Sequence, residues 1–263
     1  MKKHLFVVAH PDDEVLGAGA FIYDAIRRGD KVAVTVLNNC DTTRYRDDET
    51  RIVKDLERSH AALGGGIRRD LFYYTDSNFH NADHRQMVQD IEGVIRDFQP
   101  DIIFTQHPGD INTDHYWTVA SCMEAFRLWQ RGRGEYHPVE ALYLMEVQSS
   151  TDWALNPSEE RFKPNTFVEV SPEALDAKVD ALAAYENVIR PVPHPRPKWR
   201  VVVGMDRDGQ LLGACRGLNP VPVVHTAFGE PDIIGQDQHI ATGHLVEEAH
   251  VGQESGLVRG AYS

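Results

Sequence analysis

Leu5-Phe6-Val7-Val8-Ala9 runs directly into His10-Pro11-Asp12-Asp13-Glu14, and the reading of that junction decides the fold. Five apolar residues with no polar alternation form a strand buried on both faces, the kind found in parallel sheets. Beyond the acidic stretch, Val15, Ala18, Gly19, Ile22 and Ile26 recur at helical spacing. Gly29-Asp30 turns the chain, and a second apolar strand follows over residues 31–37. A strand, a helix and a second strand in that order make a right-handed crossover unit.

The same alternation continues. Ile52, Leu56, His60 and Leu63 mark a helix face that stops at Gly64-Gly65-Gly66, and residues 71–74 read as a third strand. Met87, Ile91, Val94, Ile95 and Phe98 form another stripe ended by Pro100, before a fourth strand over 101–105. Val119, Cys122, Met123 and Phe126 predict a fourth helix, and residues 141–147 a fifth strand. The fold class is therefore α/β: a Rossmann-like, doubly wound, mostly parallel sheet with helices on both faces and strand order near 3-2-1-4-5. Ligands bind such sheets beyond the carboxyl ends of the strands, at the switch point between the first and fourth strands.

Past residue 149 the pattern loosens. A short strand over 166–170 and a helix over 172–188, opened by Pro172, precede Pro191-Val192-Pro193-His194-Pro195-Arg196-Pro197, which is too proline-rich for a helix. Residues 199–215 read as a hairpin around Asp206-Arg207-Asp208-Gly209. We expect one main domain over residues 1–197 and a C-terminal β-containing extension over 198–263, packed on the same domain.

Forty acidic against 27 basic residues leave a net charge of −13. Nucleic-acid and anionic membrane partners are disfavoured, since both need clustered Lys and Arg. Cys40, Cys122 and Cys215 are odd in number and lack CxxC spacing, which suits a reducing cytoplasm better than a disulfide framework. The apolar run after Met1-Lys2-Lys3 is too short for a secretion signal, and no stretch is long enough for a membrane span.

Both loops at the expected switch point are acidic and contain histidine. The first is His10 to Glu14; the second reads His107-Pro108-Gly109-Asp110-Ile111-Asn112-Thr113-Asp114-His115. Carboxylates crowded this way are costly without a cation, and two imidazoles with one carboxylate is a zinc-hydrolase donor set with one position open. His10 and Asp13 can turn to one metal, an imidazole of the second loop can join them, and Asp12 is left to accept a proton from attacking water. Gly17-Ala18-Gly19 does not make a dinucleotide fingerprint, because the third glycine would fall at Ile22. Asp110-x-Asn112-x-Asp114 does not make a calcium loop, because its sixth position is His115 and its twelfth Ser121. Cys40 reads as a buried or rim thiol, and His107 as a residue behind the metal ligands.

His10-Pro11-Asp12-Asp13-Glu14 together with Asp114-His115 resembles the two signature motifs of the PIG-L/LmbE-type zinc-dependent N-deacetylases, over roughly residues 1 to 195. The resemblance implies one zinc ion per chain held by His10, Asp13 and His115, with Asp12 as general base; iron or cobalt would suit the same donors. It also implies removal of an acetyl group from an N-acetylglucosamine-type small molecule or glycoconjugate, and a homo-oligomer. Many members carry a further histidine where this chain has Asn112, and His194 on the proline-rich strap is the candidate replacement. Arg44, Arg51 and Asn112 are candidate substrate-binding residues. Two other readings remain open: an amidase acting on a non-acetyl amide of a sugar conjugate, and a catalytically silent carbohydrate-binding protein.

Overall fold

A computed structural model describes residues 1–38, 49–132, 137–148, 150–151, 162, 164–192, 194, 196–198, 201 and 214–217. The expected hairpin over 199–215 lies mostly outside them. By its internal contacts the chain divides into Met1–Ile233 and Ile234–Ser263, the second wholly outside the described residues.

Among the described residues, seven strands form one sheet: β1 (Lys3–Val8), β2 (Lys31–Val36), β3 (Arg68–Leu71), β4 (Ile102–Gln106), β5 (Ala141–Met145), β6 (Thr166–Phe167) and β7 (Ala214–Gly217). Their order is β3-β2-β1-β4-β5-β7-β6. The first five are parallel, and β7 joins β5 and β6 antiparallel. The expected 3-2-1-4-5 core is thus present. Two antiparallel strands widen it, and one of them comes from beyond residue 197. The third strand lies earlier than residues 71–74, because β3 pairs through Arg68 to Leu71 and takes its register from β2 rather than from its own weak apolar pattern.

Five α-helices among the described residues cover the sheet: α1 (Asp13–Arg27), α2 (Glu49–Ala62), α3 (His84–Phe98), α4 (Thr113–Gln130) and α5 (Pro172–Ala183). Alternate residues of β1 feed two separate cores. Phe6 and Val8 pack with Leu16 and Ile22 of α1, Leu56 of α2 and Leu182 of α5, while Leu5 and Val7 pack with Ile91 of α3 and Val119 of α4. Local chemistry sets the ends: Asp83 caps α3 by accepting from the Gln86 amide, and Gln99 closes it in the left-handed region before Pro100. Ser171 caps α5 just ahead of Pro172, and its amide and hydroxyl both donate to the Asp24 carboxylate of α1, so cap and inter-helix tie are one residue. Among the described residues, no helix is long and apolar enough to cross a membrane.

α1 approaches the end of β5 closely. A methyl at Gly17 would stand 2.6 Å from Met145 Sδ and 2.9 Å from the Glu146 carbonyl oxygen. The methionine end can move but the backbone oxygen cannot. Gly17→Ala should therefore destabilise the fold by about 1–3 kcal/mol, as overpacking does, read from urea unfolding midpoints. At the opposite end of the sheet His4 is buried, with Nε2 3.3 Å from Asp30 Oδ2. Burial pulls its pKa below the ordinary value, outweighing the neighbouring Asp30. The unfolded chain then binds the proton more readily than the fold, so this contribution is full above the unfolded pKa of about 6.5 and is lost as pH falls through the folded one. His4→Gln should flatten the stability loss between pH 7 and pH 5, measured by the same unfolding curves.

Candidate active site

Parallel β1 and β4 lie side by side, with Val7 opposite Thr105, so the chain leaves the sheet twice at one place. His10 to Asp12 follow the first strand and His107 to Asn112 the second. Asp13 opens α1 and His115 lies in the first turn of α4. Helices enter here because Asn112 caps α4, its side-chain oxygen accepting from the Asp114 amide at 2.9 Å, and because the Asp12 carbonyl receives the Val15 and Leu16 amides.

The Asp13 carboxylate is the hub. Its Oδ2 accepts from the His10 amide at 2.9 Å and from Gln106 Nε2 at 2.7 Å. The same oxygen lies 3.5 Å from His10 Nδ1 and 3.4 Å from His115 Nε2. Tetrahedral zinc with ligands at about 2.0–2.2 Å has edges of about 3.3–3.6 Å, so these separations fit a shared cation. His10, Asp13 and His115 each offer a donor atom within 4.8 Å of the other two.

Each imidazole is held from behind by carboxylate. His115 Nδ1 meets Asp110 Oδ2 at 2.8 Å, which leaves Nε2 toward Asp13. His10 Nε2 meets Asp76 Oδ1 at 3.2 Å and Asp114 Oδ2 at 3.3 Å, which leaves Nδ1 toward Asp13. Asp114 is itself fixed by the Ser77 and Phe79 amides. This is the carboxylate–histidine pattern that sets the tautomer and direction of metal-ligating imidazoles. Burial pulls the His115 pKa down, but Asp13 and Asp110 outweigh it and raise it to about 9. Burial acts the same way on His10, where Asp114, Asp13 and Asp76 hold the pKa well above the ordinary value. Burial alone would raise Asp13; the charges and hydrogen bonds of His115 and His10 hold it well below the usual carboxylate range. The pocket is built to bring positive charge to one buried carboxylate.

Asp12 stands next to this hub with φ 103° and ψ −24°, and it makes no side-chain cap to α1. Its Oδ2 lies 3.9 Å from Arg196 Nη1, and Arg196 Nε donates to the Gln148 carbonyl at 2.9 Å.

The remaining sequence candidates fall in different places. His194 Nδ1 accepts from the Arg196 amide at 3.1 Å, and its pKa is lowered by burial and by Arg190 and Arg196. The strap thus carries an arginine to Asp12 while the histidine ring bonds within the strap. Arg51 is half-exposed and pairs with Glu186 at 2.5 Å. The side-chain oxygen of Asn112 serves the helix cap. His107 is buried, with Nδ1 accepting from the Gly109 amide and its ring edge-on to Phe162. Arg44 and Cys40 lie outside the described residues. Sequence reasoning missed Asp76, Gln106, Arg196 and the orienting role of Asp110 and Asp114. The spacing Asp110-x-Asn112-x-Asp114-His115 carried the last two, whereas nothing local marked the others.

Sheet order and donor triangle together define an α/β protein with a metal-type His–Asp–His pocket at the switch point of its sheet. Residues 5–126 match the family PIG-L, GlcNAc-PI de-N-acetylase, and the chain carries a PIG-L family domain over that span, which contains every residue of the triangle. Solved structures share the fold. GalB, the 4-carboxy-2-hydroxymuconate hydratase of Pseudomonas putida KT2440, is 19% identical with a TM-score of 0.58, over 72% of this chain and 80% of that one. N,N'-diacetylchitobiose deacetylase from Pyrococcus horikoshii is 20% identical, TM-score 0.54, over 71% and 72%. The zinc-inhibited form of teicoplanin deacetylase Orf2 is 16% identical, TM-score 0.54, over 70% and 83%.

Asp110→Asn keeps the shape beside His115 but removes the charge that fixes its tautomer. Zinc affinity, measured by competition with a chromophoric chelator, should fall about 10–100-fold while the unfolding midpoint moves little.

Proposed function

We propose that this chain is a zinc-dependent hydrolase that removes an N-acetyl group from an amino-sugar-containing small molecule or glycoconjugate. The observation that carries the reading is the meeting of His10, Asp13 and His115 at tetrahedral-edge spacing, with the uncapped Asp12 beside them. The PIG-L family domain and the deacetylases among the fold relatives support the amide chemistry.

His10, Asp13 and His115 would hold the cation, which when bound supplies Lewis-acid polarisation of the amide carbonyl and acidification of water. Asp12 takes the proton of the attacking water as oxygen adds to the carbonyl carbon. It then delivers that proton to the amide nitrogen as the C–N bond breaks, giving a free amine and acetic acid, which loses its remaining proton to become acetate. The lowered pKa of His194 leaves that imidazole neutral at pH 7 and favours Asp12 as the proton donor. Arg196 brings a fixed positive charge to the Asp12 carboxylate from the strap. Arg44, Arg51 and Asn112 are the substrate-side residues of this reading.

The test is acetate release from N-acetylglucosamine and a panel of its conjugates, with zinc content quantified alongside. Asp12→Asn should lower kcat by about 10²–10⁴ while zinc stays bound. A wild-type protein that holds zinc and releases no acetate from any panel member would overturn the acetyl assignment and favour a non-acetyl amide. A protein that takes up no zinc would overturn the enzyme reading.

A further inference from the structure

The strained backbone of Asp12 has a support that reaches across to another helix. A non-glycine residue at φ 103° is strained and persists only where its surroundings impose it. On the carbonyl side, Asp12 is held by the Val15 and Leu16 amides at 3.1 and 2.8 Å. On the amide side, its N–H donates to Glu14 Oε2 at 3.2 Å. Glu14 is fully buried, and its other oxygen, Oε1, lies 3.0 Å from Nε2 of the equally buried His60 on α2.

Among the described residues, His60 Nδ1 has no hydrogen-bond partner. A buried N–H left unpaired costs more than a buried lone pair, so the imidazole proton sits on Nε2 and is donated to Glu14. The ring sits in the last turn of α2, whose end is fixed by the Gly65 amide donating to the His60 carbonyl at 3.0 Å.

We propose that His60 is a positioning residue: through Glu14 it holds the Asp12 amide, keeps Asp12 out of an ordinary helix-capping conformation, and so sets its carboxylate for proton transfer. The effect on turnover rests on the deacetylase reading above; the effect on the Asp12 backbone does not. Without the His60 donor, the Glu14 carboxylate is buried with one oxygen unpaired and turns away. Asp12 can then relax toward the extended backbone of an ordinary N-cap, its side chain accepting from the helix amides.

The experiment compares wild type, His60→Leu and His60→Gln as zinc-loaded full-length chains. It reads kcat and KM for acetate release, zinc content, and hydrogen exchange of the Asp12 backbone amide by NMR. In His60→Leu we expect zinc retained, kcat lowered about tenfold with KM nearly unchanged, and the Asp12 amide exchanging about tenfold faster. His60→Gln, whose amide can donate to Glu14, should recover most of both. Should His60→Leu fail to fold, Glu14→Gln gives the same exchange readout, with Asp12 protection falling as the charged acceptor is lost. An Asp12 amide as protected in His60→Leu as in wild type overturns the proposal, and so does a loss that His60→Gln does not recover. If the wild type releases no acetate at all, the deacetylase reading has failed, and the exchange arm still decides the role of His60.

Discussion

The site depends on one buried carboxylate that needs positive charge. Asp13 Oδ2 sits at the mouth of the sheet between two imidazoles, an amide N–H and the Gln106 side chain. Burying that charge unpaired would cost several kcal/mol. The surrounding elements address this cost: β1 and β4 deliver the loops, and Asp110, Asp114 and Asp76 fix the imidazoles. Two imidazolium protons or one divalent cation supply the same charge at the same oxygen. A cation entering this pocket would therefore exchange for protons.

The adjacent carboxylate is handled in the opposite way. Asp12 lies between His10 and Asp13 in the chain, yet its backbone is turned to positive φ and its side chain is withheld from the helix cap. Asp at an N-cap position ordinarily closes on the amides two or three residues ahead. Withholding that bond gives up cap stability, and the Glu14 and His60 contacts compensate within the fold rather than at the helix end. Two neighbouring aspartates thereby acquire different work: Asp13 is immobilised by four surrounding groups, and Asp12 is held through its backbone with its carboxylate facing Arg196.

The parallel core was legible because apolar runs such as residues 5–9 have no polar face, a property that local sequence states directly. The two loops were legible for the same reason, since carboxylates and imidazoles stand where a doubly wound sheet must end its strands. What could not be read depends on contacts distant in sequence. Asp76 reaches His10 because β3 pairs with β2, and the weak apolar pattern of Arg68 to Leu71 hid even that strand's position. β7 enters the sheet through backbone hydrogen bonds to β5 and β6, which any side chains permit. On the strap, His194 and Arg196 differ by two residues, and the register of a proline-rich segment has no periodicity from which to choose between them.

His60 shows the same limit more sharply. In sequence it occupies a core position of an amphipathic helix, with Ile52, Leu56 and Leu63, and on that pattern alone it reads as a buried filler. Its neighbours in the fold are set instead by the crossover that lays α2 and α1 on the same face of the sheet, packed with α5 in one core. Only there does a donor on α2 meet Glu14, the acid two residues past the strained aspartate. The motif His10 to Glu14 is therefore not complete in its own loop: its first four residues define the chemistry, and the fifth connects them to a helix that begins 35 residues later at Glu49. A site built this way takes its rigidity from the doubly wound topology itself. Loosening α2 would act on Asp12 through Glu14 before it disturbed any of the three metal-type donors.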